Sequence, residues 1–254
     1  MSELFGGVAV ALVTVFDDRG GVDPAATAAL ASELVARGMR AVLVCGTTGE
    51  AATLTGAERM ALVEAVRAAI PDGVPVIAGT GAPSAWQATR LTGDAVRAGA
   101  DAVLAWSPEG CGDLADYYTA VGAAAGGRPV LAYHLPWISS PGIPVSALPA
   151  LPVAGIKDSS GSADRLLDEL AHYERATYTG SSALLSLAGP LGAAGAILAL
   201  ANVEPEDCCR AFAGEAAAQL ALADRHLEVR DGGPAALKRI LAKTRPMSAA
   251  SRVP

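Results

Sequence analysis

Short, continuous runs of apolar residues recur along the chain, separated by longer stretches in which apolar and polar positions alternate at helical spacing. An apolar run without alternation is typical of a parallel strand that is buried on both faces. Eight such runs are present, at residues 8–15, 41–45, 76–78, 102–106, 130–133, 153–156, 176–179 and 196–201. The pattern therefore predicts eight parallel strands.

The stretches between these runs carry helix start signals. Asp23-Pro24 begins a predicted helix that ends near residue 37, and Thr55 with Glu58 forms a capping box at the start of a second one. Pro149 within residues 145–151, and Pro144 just before them, limit this segment to a short helix. Further helices are predicted at residues 84–98, 113–125, 162–173 and 182–188, and from 204 to about 243 with a break at 231–234.

Eight strand–helix units in 254 residues predict a (β/α)8 TIM barrel with a short C-terminal helical extension. We assign residues 1–203 to the barrel and 204–254 to the extension of the same domain, because no linker separates them. A doubly wound open sheet is the alternative. It favours a glycine-rich loop after the first strand, where this chain instead has Thr14-Val15-Phe16-Asp17-Asp18.

Composition and charge narrow the function classes. Hydrophobic residues make up 52% and charged residues 18%, which excludes a disordered chain. A net charge of −7 without a basic cluster argues against nucleic-acid binding. The uncharged segment 176–203 is long enough to span a membrane, but Gly189-Pro190 interrupts it, so we predict a helix, a turn and a buried strand.

Cysteine and histidine spacing gives little sign of disulfide or metal chemistry. The four cysteines form no CxxC pair, and the chain begins without a secretory leader, so we expect reduced thiols in a cytoplasmic protein. The three histidines are scattered, and no acidic or cysteine group has metal-ligand spacing. We therefore expect no metal.

Polar residues collect where the predicted strands end, which is where a barrel carries its chemistry. Lys157 ends one apolar run, and a lysine amine attacks a carbonyl carbon only when neutral, a form that apolar surroundings favour. Tyr133 ends the preceding run and could transfer protons beside it. The structural alternatives are a lysine that extends into solvent and a half-buried tyrosine.

Two glycine-containing loops could bind anions. Gly46-Thr47-Thr48-Gly49-Glu50 offers backbone N–H groups and hydroxyls to a carboxylate or phosphate, and the alternative is an ordinary strand-to-helix turn. Gly180-Ser181-Ser182 could bind a phosphate or act as a helix cap.

Several of these segments together resemble the dihydrodipicolinate synthase / N-acetylneuraminate lyase family of pyruvate-dependent class I aldolases. The resemblance covers most of the chain, and it rests on the order of the motifs because each one alone is weak. They are Val13-Thr14, the 46–50 loop, Val76-Ile77-Ala78-Gly79-Thr80-Gly81, Gly99-Ala100-Asp101-Ala102-Val103, Tyr133-His134-Leu135-Pro136, Gly155-Ile156-Lys157-Asp158-Ser159-Ser160-Gly161 and Ala201-Asn202-Val203.

The resemblance implies a Schiff-base mechanism. Lys157 would form an imine with pyruvate or another 2-oxo acid, and Tyr133 would transfer protons with help from Thr48. No metal or organic cofactor would be needed, because the imine is itself the electron sink. The resemblance further implies a homo-oligomer, tetramer or dimer, that contacts neither nucleic acid nor membrane.

The resemblance also implies the residues of the substrate pocket. Thr47 and Thr48, with the backbone at Gly46, would bind the C1 carboxylate of the 2-oxo acid. Gly180 and Ile197 would line the same pocket.

Three departures from the synthase pattern affect the second substrate and the assembly. The synthase has an arginine a few residues after the Tyr-x-x-Pro motif, and this chain has Trp137-Ile138 in that region. Without an arginine to pair with a carboxylate, Ile138 is expected to contact an uncharged or apolar aldehyde. Ser107-Pro108-Glu109-Gly110 replaces a Thr-Pro-tyrosine segment that reaches the neighbouring subunit. The chain also ends early, at residue 254, which predicts changes in the usual C-terminal helices and in the assembly.

The sequence thus predicts a Schiff-base aldolase or lyase that acts on a 2-oxo acid and an aldehyde. A hydratase or dehydratase that uses the same lysine is not separated from it. The alternatives are 4-hydroxy-tetrahydrodipicolinate synthase proper, a catalytically silent barrel that binds 2-oxo acids, and a phosphate-binding barrel enzyme.

Overall fold

Eight parallel strands close into a barrel in chain order in the computed structural model, which describes residues 3–253. Each strand pairs with the next along the chain, and the eighth pairs with the first. The predicted (β/α)8 architecture is confirmed. The strands are β1 Gly7–Ala11, β2 Val42–Val44, β3 Val76–Gly79, β4 Ala102–Ala105, β5 Val130–His134, β6 Gly155–Asp158, β7 Ala176–Thr179 and β8 Gly195–Leu198.

The helices follow the predicted start signals closely. Asp23 caps α1, and Thr55 and Glu58 make both hydrogen bonds of the capping box at α2. Residues 145–150 form only a 3-10 turn, as the prolines require. The helices are α1 Pro24–Ala36, α2 Gly56–Ala69, α3 Ala85–Arg97, α4 Leu114–Ala125, α5 Ala163–His172, α6 Leu185–Ala188, α7 Pro205–Phe212, α8 Ala216–Ala221 and α9 Ala223–Leu241.

Strand β8 ends at Leu198, three residues before its apolar run does. Strands β1 and β6 also end in places that the apolar runs did not predict. The first run continues to residue 15, yet β1 ends at Ala11 because the N–H groups of Val13 and Val15 donate to the side-chain oxygens of Asn202 and Thr27. The run 153–156 begins before β6, whose last two residues are Lys157 and Asp158. Side-chain acceptors and pairing partners, which an apolar pattern does not reveal, set both boundaries.

The barrel is filled by a core separate from the one beneath the helices. Its apolar side chains include Leu43, Ile77, Leu104, Leu131 and Ile197, and all are at most 1% exposed. Small residues occupy many neighbouring positions, consistent with a chain that is only 4% aromatic. This dry interior surrounds any polar group that points into it.

The two ends of the barrel differ. At the amino-terminal end, Phe5 stacks on Tyr178 with ring centroids 4.6 Å apart, and the Tyr178 hydroxyl donates to the Phe5 carbonyl. At the carboxyl end, the amide of Asn202 donates to the Ala11 carbonyl and accepts from Val13 N–H, which fastens the end of β8 to β1. The opening that remains is at the carboxyl ends of the strands.

Three helices, α7 to α9, follow the last strand in the described part of the chain. The changes expected in the C-terminal helices therefore do not include their loss. Helix α9 is broken at Gly233, whose φ of 53° lies in the left-handed region, and Pro234 starts the segment after the break. The predicted interruption at residues 231–234 is confirmed. The break redirects the last part of α9 toward the barrel mouth.

The segment at 176–203 folds as β7, α6 and β8, as predicted. Across residues 3–253, no helix combines the length and the apolar character that crossing a membrane requires. Cys45, Cys111, Cys208 and Cys209 are free thiols.

Candidate active site

Lys157 and Tyr133 are neighbours across two paired strands. The register of β5 and β6 places the two residues opposite each other, and Lys157 Nζ lies 4.4 Å from the centroid of the Tyr133 ring. Lys157 is 4% exposed and Tyr133 is 7% exposed. The alternatives of a solvent-directed lysine and a half-buried tyrosine are therefore wrong. An amine and a phenol, two groups that imine chemistry uses, thus lie side by side inside the barrel.

Ser159 joins this pair, although the sequence analysis gave it no role. Its hydroxyl donates to the phenol oxygen of Tyr133 at 3.2 Å. The bond uses a lone pair of that oxygen, so the phenol proton remains available for a ligand. Ser159 lies two residues after Lys157 in extended chain, so their side chains project to the same side. The spacing of two positions from Lys157 is the sequence signal that indicates Ser159 as a site residue.

Gly180 leaves the space that these side chains occupy. A Cβ at this position would lie 3.0 Å from Lys157 Cε and would overlap the Ser159 hydroxyl. Ile197, on β8, is 1% exposed and belongs to the same interior cluster as Tyr133. Of the two residues that the resemblance assigned to the pocket, Gly180 thus lies against Lys157, and Ile197 belongs to the apolar cluster inside the barrel.

The turn after β2 presents unpaired backbone donors. The N–H groups of Gly49 and Glu50 donate to the carbonyls of Gly46 and Thr47, which closes the turn Thr47–Gly49. Within residues 3–253, those of Thr47 and Thr48 have no backbone or side-chain acceptor. The first N–H groups of a helical turn are left without partners in this way and favour an anion.

The two threonines of this turn are placed differently. Thr47 is exposed and lines the cavity described below, whereas Thr48 is half-buried. Among the hydrogen bonds of the described chain, none joins Thr48 to Tyr133, whose phenol partner is Ser159. The proton-transfer help that the resemblance assigns to Thr48 stays a prediction.

A cavity of about 760 Å³ opens beside Tyr133 at the carboxyl ends of the strands. Its wall is largely apolar and includes Leu104, Trp106 and Ile138, with Arg59 and Arg90 among its charged residues. Trp137 is 64% exposed and is not among the described residues that line the cavity, whereas its neighbour Ile138 is. Trp106, which the sequence did not indicate as a site residue, lines the cavity.

Two anchors hold the loop that carries Ile138. His134 Nδ1 accepts the N–H of Ile143 at 3.0 Å. Ser139, which is 2% exposed, donates its hydroxyl to the carbonyl of Ser107 at the end of β4. Both anchors are buried, so the loop holds Ile138 in a defined position at the cavity wall.

A cluster of ionisable groups lies behind β5 and β6, on the side away from Lys157. Burial and the positive charge of Arg165 lower the pKa of His134 to about 4, against an opposing effect of Asp158. Burial and the charge of Asp158 raise the pKa of Glu169 to about 8, although Arg165 lies 2.8 Å away. His134 is thus neutral at pH 7, as its acceptor role toward Ile143 requires.

No group of three or more histidine, cysteine, aspartate or glutamate side chains able to hold a metal ion occurs in the described part of the chain. The reactive groups that the barrel does bring together are an amine, a phenol, a hydroxyl and a set of backbone donors. These are the parts that imine chemistry on an anionic carbonyl compound uses.

A model of the dihydrodipicolinate synthetase family matches residues 4–232. The chain belongs to this family. Membership makes it an enzyme of the class I aldolase and lyase type. Its fold and its motif order, predicted from the sequence, agree with that membership.

Relatives in the dihydrodipicolinate synthetase family include two 4-hydroxy-tetrahydrodipicolinate synthases. The Salinibacter ruber enzyme is 36% identical over 239 residues, which is 89% of this chain and 78% of that protein. The Synechococcus sp. (strain WH7803) enzyme is 42% identical over 139 residues, or 52% of this chain and 45% of that protein.

A solved structure of the same family shares the whole fold. It is the chloride-inhibited dihydrodipicolinate synthase from Acinetobacter baumannii complexed with pyruvate. The TM-score is 0.88 at 27% identity, and the alignment covers 99% of this chain and 92% of that one.

The acceptor role of His134 predicts a specific loss of stability in acid. Because its pKa in the folded state lies below that of an unfolded histidine, its contribution is complete above about pH 6.5 and is lost as the pH falls toward 4. We expect His134→Asn, which keeps an acceptor but cannot be protonated, to reduce the fall in free energy of unfolding between pH 7 and 4 by on the order of 2 kcal/mol. Denaturant unfolding at each pH measures this, and parallel curves for the two proteins would contradict it.

Proposed function

We propose that the chain is a Schiff-base aldolase or lyase in which Lys157 forms an imine with C2 of pyruvate or another 2-oxo acid. The observation that carries the proposal is the buried Lys157 amine 4.4 Å from the Tyr133 ring centroid, at the open end of an apolar barrel. The pyruvate bound to the Acinetobacter relative supports the choice of substrate class.

The reaction follows from these groups. The neutral amine of Lys157 adds to the C2 carbonyl, Tyr133 supplies a proton to the carbonyl oxygen, and the carbinolamine loses water to leave the imine. Loss of a C3 proton gives an enamine, whose C3 attacks the aldehyde carbon. A carbon–carbon bond forms as the C=O π bond opens, and the aldehyde oxygen takes up a proton. Water then hydrolyses the product imine and restores the lysine. The lyase direction is the reverse of these steps.

The hydroxyl of Ser159 supports the proton transfer by Tyr133. Its hydrogen bond fixes the phenol oxygen beside the amine, so that the same phenol can give a proton and take it back without reorienting. The N–H groups of Thr47 and Thr48 supply donors to the C1 carboxylate, with the Thr47 side chain at the cavity surface. Neutral donors suffice for a singly charged acid.

The second substrate is an uncharged or apolar aldehyde in this proposal. Leu104, Trp106 and Ile138 line the cavity together with Tyr133, and none of them can pair with a carboxylate. Arg59 and Arg90 line it too, but Arg59 donates to the carbonyls of Gly79 and Ala51, and Arg90 lies over the Trp86 ring. This wall favours a general aldolase or lyase over 4-hydroxy-tetrahydrodipicolinate synthase proper, the activity named for the Salinibacter relative. A hydratase or dehydratase that uses the same imine shares the first half of the mechanism.

The chain itself offers a sharp test of imine formation, because it has only three lysines: Lys157, Lys238 and Lys243. We expect borohydride reduction in the presence of pyruvate to add one reduced pyruvyl group at Lys157, since its amine is the one in the barrel. Intact-protein and peptide mass spectrometry would locate the adduct. Lys157→Ala should abolish it, and Lys243→Ala, which removes an exposed lysine, should not.

Failure of this trapping has a defined meaning. If neither pyruvate nor larger 2-oxo acids give an adduct on Lys157, the aldolase proposal is overturned. Binding of pyruvate without an adduct would favour the silent 2-oxo-acid-binding barrel.

The wall residue Ile138 provides a test of the second substrate. We expect Ile138→Arg to raise kcat/KM for a carboxylate-bearing aldehyde such as aspartate semialdehyde, relative to uncharged aldehydes, by about tenfold, because a guanidinium pairs with a carboxylate. Trp137→Arg is the matched control, since that side chain lies outside the wall. Efficient use of aspartate semialdehyde by the unaltered protein would instead support the synthase.

The dimeric or tetrameric assembly and the cytoplasmic location inferred from the sequence stay predictions.

A further inference from the structure

A buried ion pair links the C-terminal region to the turn that binds the carboxylate in our proposal. Lys238, on α9, donates from Nζ to Glu50 Oε1 at 2.5 Å, and both side chains are fully buried. The same ammonium donates to the Ala250 carbonyl at 3.0 Å and lies 3.9 Å from the centroid of the Phe16 ring. Every neighbour of this cation therefore belongs either to the barrel mouth or to the end of the described chain.

The other oxygen of Glu50 binds a short segment, residues 248–253, which we term the strap. Glu50 Oε2 accepts the N–H of Arg252 at 2.7 Å, the N–H of Val253 at 2.9 Å and the hydroxyl of Ser251 at 3.0 Å. Two buried charges are tolerated when they are paired and their remaining donors and acceptors are satisfied. Glu50 Oε1 meets that condition through Lys238, and Oε2 meets it only because the strap is in place.

The strap is attached to the barrel by its own ion pair. The Arg252 guanidinium binds both carboxylate oxygens of Glu58, at 2.5 and 3.1 Å. It also donates to the carbonyls of Gly20 and Thr53, at 2.8 and 3.0 Å. One arginine thus fixes the strap across the loops that follow β1 and β2.

Glu50 has a backbone conformation that needs such support. Its φ of 56° lies in the left-handed region, as does that of Cys45, so two non-glycine residues in this conformation bracket the turn Thr47–Gly49. Such a conformation is strained in a non-glycine residue and persists only where the surroundings determine it. The hydrogen bonds from Lys238 and the strap to the carboxylate of Glu50 fix this backbone conformation at one end of the turn.

The strap and α9 also reach the substrate cavity. Val253 of the strap and Pro234, which follows the break in α9, both line it together with Thr47. The elements that hold Glu50 therefore form part of the wall opposite the strand ends.

We propose that Lys238 and Arg252 are positioning residues that set the affinity of the Thr47–Gly49 turn for the carboxylate of the 2-oxo acid. Lys238 acts through Glu50, and Arg252 acts through the strap. This inference rests on the proposed function, because it takes that turn as the carboxylate site. Neither residue touches the reacting atoms.

The test measures the pyruvate concentration that gives half-maximal borohydride trapping on Lys157. We expect Arg252→Ala, which detaches the strap but leaves the buried pair, to raise that concentration by about tenfold while maximal trapping is kept, because a misplaced turn binds its ligand less well. Arg252→Lys should recover part of the affinity. The double variant Glu50→Gln with Lys238→Met, which removes both buried charges together, should show an increase at least as large.

Arg245→Ala is the matched control. Arg245 also ties the C-terminal region to the barrel by an ion pair with both oxygens of Glu33, on α1, yet it does not contact Glu50 or the strap's partners. Its loss should lower stability without changing half-maximal trapping by more than about twofold.

The outcomes separate this inference from the proposed function. If the unaltered protein is not trapped, the proposed function fails. If it is trapped, and the Arg252→Ala and double variants have the half-maximal concentration of Arg245→Ala, the inference is overturned. If maximal trapping falls in proportion to the folded fraction while the half-maximal pyruvate concentration is unchanged, Lys238 and Arg252 have only a structural role. The inference is then likewise overturned.

Discussion

The placement of one amine inside a dry barrel is the constraint on which the rest of this structure depends. Lys157 projects inward because β6 pairs with β5 in a register that sets it opposite Tyr133. Successive side chains of a strand point to opposite faces, so a shift of one residue would turn the lysine toward the helices and bring Asp158 into the apolar interior. Barrel closure, from β8 back to β1, prevents such a shift.

In the proposed mechanism, rigid strands hold the reacting groups, and loops hold the groups that recognise the substrates. The Thr47–Gly49 turn would supply donors for one substrate, and the anchored loop with Ile138 would supply an apolar surface for the other. Each of these loops is fixed from outside the barrel, by Glu50 with Lys238 and by His134 with its neighbours. In this arrangement the chemistry and the specificity can change separately, since they belong to different parts of the chain.

The sequence revealed the parts of this site that local pattern controls. Apolar runs gave the eight strands, and Lys157 and Tyr133 stood out because they are polar residues at the ends of such runs. Contacts between distant residues were not visible: Glu50 and Lys238 are 188 positions apart, and nothing in the local spacing of either predicts the pair. The different placement of Trp137, which is 64% exposed, and Ile138, which lines the cavity, was not visible either, because a loop without regular periodicity does not show which way its side chains point.

Exchange of the methyl protons of pyruvate with D₂O, followed by ¹H NMR without any aldehyde, tests the central claim most directly. Imine formation at Lys157 acidifies these protons, so the account predicts enzyme-dependent loss of the methyl signal, abolished in Lys157→Ala. The exchange should be slowed by about 10²-fold or more in Tyr133→Phe, and less in Ser159→Ala, since the phenol transfers the proton and the serine orients it. Exchange that persists in Lys157→Ala, or none in the unaltered protein with pyruvate or larger 2-oxo acids, would contradict the account.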